Sequence, residues 1–245
     1  MDKLFELTNK YFAESYEFSV ADEETEAAKR GLGMPVSGAV LFVEAQAGHK
    51  AFLVKNRPLF LKYSYIYKSL LAEILSTLGA KKEWTMFSGN AITAFFTADG
   101  ASNNVWNALL SAMYVRTGVE KMLPEISPAF DVLDISLKTT VHFDSFIVAD
   151  IGRNSAGTVQ PVDAPFYIMA RMESKNSDKE ILITGPAAER LDFSAIFGTA
   201  STTENLKYRK LLLKPVSELK TKDDKIPIYS FEEAKFEKIL SLSAG

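Results

Sequence analysis

The sequence predicts an α+β fold built on a βαββαβ core, with helices covering one face of an antiparallel sheet. Segments with strand-like and helix-like hydrophobic patterns follow one another in that order between residues 37 and 151. Two of these segments carry the alternation and the turn residues of antiparallel hairpins. With 245 residues, of which 47% are hydrophobic and 24% charged, the chain is long enough to bury a large core.

The first elements have clear local signals. Apolar residues at helical spacing, followed by an acidic run and a glycine-rich stretch, predict a helical arm and linker over residues 1–35. Residues 37–44, SGAVLFVE, are apolar enough for a central strand. Residues 58–78 predict a long helix, with one apolar face made of Leu61, Tyr65, Leu70, Leu71, Ile74 and Leu78.

A β-hairpin is predicted over residues 84–96, WTMFSGNAITAFF, because two strand-like runs meet at Ser88-Gly89-Asn90. Gly and Asn tolerate the positive φ angles of tight hairpin turns, so this is the strongest local turn signal in the chain. The tip of the hairpin therefore presents the Asn90 amide at a fixed place. A second amphipathic helix is predicted over residues 103–123 and stops before Pro124.

The C-terminal half carries shorter signals. Apolar and polar residues alternate on either side of Asp144-Ser145, which predicts a second hairpin over residues 132–151 with Asp144 as a turn former. The other predicted elements are a helix (164–174), a strand (180–184), a helical turn (186–191), two closing strands (208–213 and 226–231) and a helical tail (232–245).

Composition excludes several classes of function. A net charge of -3 gives no basic field for nucleic acid. No apolar run approaches the roughly 20 residues of a membrane span, and the N-terminus has no signal-peptide pattern, so we expect a cytoplasmic protein. There is no cysteine and there are only two histidines, so a metal would need oxygen ligands.

Two common kinds of catalytic site are not supported. No Walker phosphate loop is present, and no G-x-G-x-x-G motif follows a strand, which argues against nucleotide binding of the P-loop or Rossmann kind. A Ser-His-Asp site would need His49 or His142 as its base. His142 lies within an alternating strand pattern and no nucleophile elbow is evident, so a structural histidine is the simpler interpretation.

Four separated segments have an order that points to one family. They are LFVEAQAG (41–48), SGNA (88–91), TTVHFDSFIVADIG (139–152) and PFYIMARMES (165–174). Together they resemble the catalytic domain of class III nucleotidyl cyclases, the adenylate and guanylate cyclases. The resemblance spans residues 36–191, and the closing strands extend it to residue 231. It implies a ferredoxin-like βαββαβ domain over residues 36–231, between the arm (1–35) and the tail (232–245).

The resemblance places the two metal-binding positions of the family at Glu44 and Asn90. Cyclisation requires the ribose 3′-hydroxyl to attack the α-phosphate, and two divalent ions held by two carboxylates activate the nucleophile and clamp the charged oxygens. Glu44 keeps the carboxylate on a longer side chain, whereas Asn90 keeps the shape and removes the charge. Two-metal binding is therefore not expected.

Four further positions are implied by the resemblance. The lysine that reads the purine is replaced by Met86, which offers no donor, and its partner position is Gln160, which can still hydrogen-bond a base. The ribose-orienting asparagine is replaced by Tyr167. Arg171, four residues further along the same helix, is an arginine as in the family, and its side chain is suited to bidentate contact with a phosphate. Without the resemblance, Met86 and Tyr167 are simply core residues, and Arg171 is a surface arginine.

Three functions follow as expectations. The first is a cyclase-homology domain that has lost two-metal catalysis, needs no cofactor and serves as a regulatory or ligand-sensing module, with a nucleotide as a possible ligand. The family resemblance implies a homodimer or a cyclase-like heterodimer. The second is an active cyclase that uses Mg²⁺ or Mn²⁺ with Glu44, Arg171 and an unusual second carboxylate such as Asp144 or Asp150. The third is an interaction module without a nucleotide site.

Overall fold

The computed structural model describes most of the chain. The described residues are 19–20, 32–47, 57–98, 100–126, 135–150, 159–163, 165–173, 175, 180–198, 201–221 and 225–243. Most of the predicted arm therefore lies outside the described residues. The part of it that is described, Ser19–Val20, is a short strand and not a helix. It pairs in parallel with Leu32 and Gly33, which extend the predicted central strand into the predicted linker.

The described elements alternate between strands and helices. The strands are β1 (Ser19–Val20), β2 (Leu32–Ala47), β3 (Met86–Ser88), β4 (Ala91–Phe96), β5 (Ile135–Asp150), β6 (Val159–Pro161), β7 (Ile181–Thr184), β8 (Leu213–Lys220) and β9 (Lys225–Phe231). The helices are α1 (Arg57–Thr77), α2 (Ala101–Arg116), α3 (Leu123–Ile126), α4 (Pro165–Glu173), α5 (Gly185–Arg190), α6 (Phe193–Ile196), α7 (Thr202–Leu212) and α8 (Glu233–Ser243). A 3-10 turn (Lys82–Trp84) and a π-helical segment (Thr117–Met122) complete the order.

The strands form one mixed, mostly antiparallel sheet with the order β3-β4-β2-β5-β7-β9-β8. Antiparallel pairing joins β4 to both β2 and β3, and joins β9 to both β7 and β8, whereas β5 and β7 are parallel. Short strands lie outside this path, with β1 beside β2 and β6 beside β5. The predicted α+β class and antiparallel sheet are confirmed.

The chain forms two compact units. One consists of Met1–Ser37 and Ser145–Ala164, and the other of Gly38–Asp144 and Pro165–Gly245. The second unit contains the main hydrophobic core, in which α1, α2 and α8 pack against the sheet. Neither unit coincides with the predicted boundaries at residues 35 and 231.

The main core lies on one face of the sheet, but one helix covers the other face. Ile181 and Ile183 of β7 belong to the main core, whereas Leu182 packs with Ile168 and Met172 of α4. Because successive side chains of a strand point to opposite faces, α4 lies on the side opposite to α1 and α2. The prediction that helices cover one face is correct for the main core and wrong for α4.

The inward face of the long helix α1 was predicted correctly only in its C-terminal part. Tyr67, Leu71 and Leu75 are its buried residues, whereas Leu61 and Tyr65 are largely exposed. Of the predicted face, Leu71 is buried, and Leu70, Ile74 and Leu78 pack against the core. Tyr67 and Leu75, each four residues from Leu71, share its helical face and were not predicted.

The second predicted hairpin is placed differently in the structure. Residues 135–150 form the uninterrupted strand β5, and the chain returns as β6, which pairs with the end of β5 at Val148, Ala149 and Asp150. Asp144 is therefore not a turn residue. Its Oδ2 instead lies 3.3 Å from His142 Nε2, so the carboxylate has a side-chain partner within the strand.

Two other boundaries were also predicted wrongly. Residues 202–212 form helix α7 and not a strand, because Ser201 provides an extended N-cap and the following Glu, Lys, Arg and Leu residues favour a helix. The second long helix does not stop before Pro124 but continues through the π-helical segment into α3. Leu123, the residue before the proline, keeps helical angles (φ -64°, ψ -42°), so the chain stays helical past Pro124.

Candidate functional site

The structure brings Glu44 and Asn90, the two residues predicted at metal positions, to the same end of the sheet. In the β2–β4 pairing Glu44 lies opposite Ala91, the residue that follows Asn90. The backbone N–H of Ala45 donates to the Asn90 carbonyl oxygen over 3.0 Å. Gly89 has a φ of 58°, as expected for the tight turn that presents Asn90. The predicted hairpin therefore fixes an amide next to the carboxylate of the central strand.

A buried tyrosine, Tyr67 of α1, supports this pair from the helix layer. Its hydroxyl donates to the Asn90 carbonyl oxygen over 3.2 Å. Burial raises the pKa of Tyr67, and the neighbouring Glu44 carboxylate raises it further. The phenol therefore stays protonated and remains a donor. The predicted inward face of this helix included Tyr65 and not Tyr67, so no role in the site was predicted for Tyr67.

The surroundings of Glu44 do not suit two divalent ions. The Gln46 side-chain amide donates to Glu44 Oε2 over 2.9 Å, so one carboxylate oxygen already accepts a hydrogen bond. The second metal position supplies a neutral amide in place of a carboxylate, although Mg²⁺ prefers charged oxygen ligands. Among the described residues, no group of three or more His, Asp or Glu side chains is placed to hold a metal.

Three further predicted residues, Met86, Asp144 and Gln160, lie on strands β3, β5 and β6. Met86 begins β3, is partly exposed and pairs with Thr93. Asp144 contacts His142, whose Nδ1 lies 2.8 Å from the Thr184 hydroxyl. Gln160 lies on β6 opposite Ala149, in the compact unit that does not contain Glu44.

The two predicted residues of α4, Tyr167 and Arg171, contact each other on its exposed side. The Nη1 atom of Arg171 donates to the Tyr167 hydroxyl over 2.9 Å, and its guanidinium carbon lies 5.4 Å from the centre of the tyrosine ring. Tyr167 is 59% exposed, so the interpretation of this residue as a core aromatic was wrong. The inward side of α4 is instead provided by Ile168 and Met172.

Two lysines, Lys175 and Lys220, lie next to Arg171 at the edge strand β8. Arg171 Nη1 donates to the Lys220 carbonyl oxygen over 2.8 Å, and Lys175 Nζ donates to the Glu218 carbonyl oxygen over 3.1 Å. The Arg171 and Lys175 side chains therefore both reach the backbone of the last residues of β8, the strand that ends with Lys220, and we call these three basic residues the cationic corner. Lys220 lies between the two closing strands predicted from the sequence, and it was given no role in the site. Only the fold shows that the end of α4 meets β8.

The cationic corner and the Glu44–Asn90 pair lie at different places along the sheet. Glu44 is on β2, and the corner borders β8, which is four strand positions away in the order β2-β5-β7-β9-β8. At a strand spacing of about 4.8 Å, the two sets are separated by roughly 19 Å. Within one chain, the Glu44–Asn90 pair and the cationic corner are therefore each formed, but they do not lie next to each other.

Two clefts in the described part of the chain contain none of the six predicted site residues. One, of about 280 Å³, lies between α5, α7 and the β8–β9 pair. Arg209 shapes it by donating to the backbone carbonyls of Glu189 and Leu191. The other, of about 270 Å³, lies between α1 and β3.

The fold is that of the catalytic domain of class III nucleotidyl cyclases, as the sequence predicted. The structure is similar to the adenylyl cyclase CyaB from P. aeruginosa, with a TM-score of 0.64 and 12% identity over 81% of this chain and 95% of that one. It is also similar to the guanylyl cyclase Cya2, with a TM-score of 0.62 and 14% identity over 81% of this chain and 93% of that one.

A third similar structure is a class III adenylyl cyclase-like ATP-binding protein from Pseudomonas aeruginosa. Its TM-score is 0.62 and its identity 12%, over 86% of this chain and 48% of that one. No protein-family model and no curated protein matches the sequence. At these identities the similarity establishes the fold alone. Within the described residues, no helix is both long and apolar enough to span a membrane.

Proposed function

We propose that this chain is a class III cyclase-homology domain that has lost two-metal catalysis and acts as a dimerising regulatory or ligand-sensing module. The observation that carries the proposal is the Glu44–Asn90 pair. The fold brings these residues together, with the Ala45 N–H bonded to the Asn90 carbonyl oxygen, but the pair supplies one carboxylate instead of two.

The missing charge is the main energetic obstacle to catalysis. Removing one unit charge at a few ångströms from a divalent ion costs several kcal/mol even at an effective dielectric constant of about 20. A neutral amide oxygen at Asn90 does not recover that energy. The hydrogen bond from Gln46 to Glu44 also competes with any ion for the remaining carboxylate.

The cationic corner supports binding of an anionic ligand such as the phosphates of a nucleotide. Arg171, Lys175 and Lys220 lie together at the end of α4, and arginine is well suited to bidentate contact with phosphate. The similarity to a cyclase-like ATP-binding protein supports a nucleotide as this ligand. Met86 offers no donor to a purine, so we expect little discrimination between ATP and GTP.

A second copy of the chain would complete the site. The Glu44–Asn90 pair and the cationic corner are roughly 19 Å apart in one chain, which is too far for one phosphate to contact both. In a symmetric dimer, the pair of one copy can face the corner of the other. This geometry supports a homodimer, and a heterodimer with an active cyclase would use the same surfaces.

Nucleotide binding is the experiment that tests the proposal. We expect ATP without divalent metal to raise the melting temperature, and ligand at about 100 times its dissociation constant should add about 2.7 kcal/mol of stability. Lys220→Ala should reduce this shift, whereas Lys207→Ala, an exposed lysine on α7, should leave it unchanged. Sedimentation in the same buffer should show a dimer. A monomer that gives no shift with either ATP or GTP would contradict the proposal.

A further inference from the structure

We infer that Tyr167 is a positioning residue that holds Arg171 on its own chain, and that an anion binds the cationic corner tightly only when this contact is released. We call the contact the Tyr167–Arg171 latch. The inference deepens the proposed function and rests on it, because the latch regulates the same anion-binding corner.

The contacts of one nitrogen atom, Arg171 Nη1, carry the inference. This atom has two N–H groups, and it donates to the Tyr167 hydroxyl over 2.9 Å and to the Lys220 carbonyl oxygen over 2.8 Å. The tyrosine ring also lies against the guanidinium, with its centre 5.4 Å from the guanidinium carbon. A phosphate that binds through Nη1 must therefore displace at least one protein acceptor.

The exposure of Tyr167 shows that packing is not the reason for its position. Tyr167 is 59% exposed, whereas Ile168 and Met172 fix α4 on the sheet. Tyr167 and Arg171 are one helical turn apart, which is the spacing at which side chains on a helix surface meet. The ring and hydroxyl can therefore be removed without unseating the helix, so the latch can be tested separately from folding.

The latch is weak enough to be opened by a ligand. An exposed cation–π contact and one hydrogen bond to a neutral hydroxyl are each of modest strength in water. Together they should reduce the affinity of the corner for an anion by about tenfold. A polyphosphate that bridges Arg171, Lys175 and Lys220 has enough charge to compete with them. The corner thus discriminates in favour of highly charged anions over a single phosphate.

The test is a double-mutant cycle on the full chain, with inorganic tripolyphosphate without divalent metal as the probe. Calorimetry would measure binding to the wild type, Tyr167→Ala, Arg171→Ala and the double variant. Tyr167→Phe keeps the ring and removes only the hydroxyl. Tyr114→Ala is the matched control, because Tyr114 is similarly exposed on another helix, α2. Tripolyphosphate has no ribose or base, so no such contact contributes to the result.

We expect Tyr167→Ala to bind tripolyphosphate about tenfold more tightly than the wild type, with Tyr167→Phe in between and Tyr114→Ala unchanged. In the Arg171→Ala background, Tyr167→Ala should have no effect, because the latch acts only through the arginine. Equal or weaker binding by Tyr167→Ala, or the same gain in both backgrounds, would overturn the latch and leave the proposed function intact. Failure of every variant to bind tripolyphosphate would overturn the latch, and failure to bind ATP as well would overturn the proposed function.

Discussion

Phe236→Ala is expected to lower the free energy of unfolding by about 3–5 kcal/mol, because it removes a buried aromatic ring and leaves a cavity. Phe236 lies on the C-terminal helix α8 and is only 2% exposed. Its ring is within 6 Å, between ring centres, of Trp106, Phe197 and Phe231. These three aromatics come from different parts of the larger compact unit, so the variant loses contacts that join α8 to the rest of its core.

Urea denaturation of the wild type and Phe236→Ala measures this effect, with Leu240→Ala as the control. Leu240 lies on the same helix and is 45% exposed, so its truncation should cost little. Residues 232–245 were predicted as a tail outside the domain, and a large loss in Phe236→Ala would show that α8 is part of the folded unit. Equal, small losses in both variants would contradict that conclusion.

Arg116→Met is expected to lower the free energy of unfolding by about 3–5 kcal/mol at neutral pH, because it leaves two partly buried carboxylates without their cation. Arg116 Nη2 lies 3.3 Å from Glu120 Oε2, and Nη1 lies 3.3 Å from Glu233 Oε2. Glu120 also accepts a hydrogen bond from the backbone N–H of Leu137 over 2.8 Å. The arginine thus connects the π-helical segment with α8, and Glu120 extends the link to β5.

The loss in Arg116→Met should depend on pH in a defined direction. Burial raises the pKa of Glu233 above its ordinary value of 4.5, and Arg116 opposes this shift. Without Arg116 the pKa of Glu233 should rise further, so the folded state binds a proton more tightly than the unfolded state. The stability of the variant should therefore fall as the pH rises above about 4.5, and be partly recovered at acidic pH.

Urea titrations of Arg116→Met at pH 5 and pH 7.5 test this prediction, with Lys235→Met as the matched control. Lys235 pairs with Glu232 on the surface, where an ion pair contributes at most about 1 kcal/mol. A loss that is the same at both pH values, or one no larger than that of the control, would show that Glu233 does not depend on Arg116.

The fold could be predicted from the sequence where local and tertiary signals agree. The hairpin at Ser88-Gly89-Asn90 and the amphipathic helices carry patterns that persist in the folded chain. The predicted secondary structure was wrong where a short hydrophobic pattern fits both a strand and a helix. The run YRKLLL suits a strand or a helix, and in the structure its residues 208–212 form the second half of helix α7, which begins at Thr202. Alternation around Asp144 continues without a break, so β5 runs straight through the predicted turn.

Only those site residues that belong to the motifs of the cyclase family could be predicted from the sequence. The resemblance identified Glu44 and Asn90, and the pairing of β2 with β4 confirms that they are neighbours. Tyr67 and Lys175 are not part of that pattern, and their roles depend on long-range packing. The contact between Tyr167 and Arg171 follows from their helical spacing, but the nearness of Lys220 depends on where α4 meets β8. Spatial proximity of this kind has no signal in a single sequence.

The loss of two-metal catalysis can be tested by measuring cyclic nucleotide formation. The wild type would be incubated with ATP or GTP and with Mg²⁺ or Mn²⁺, and the products would be quantified by mass spectrometry. We expect no cyclic nucleotide above the buffer control, because Asn90 lacks the charge that a second ion requires. Asn90→Asp alone should also be inactive, since Met86 and Tyr167 still stand at the proposed purine- and ribose-binding positions. Cyclic nucleotide that forms with the wild type and disappears in Glu44→Ala would contradict this account.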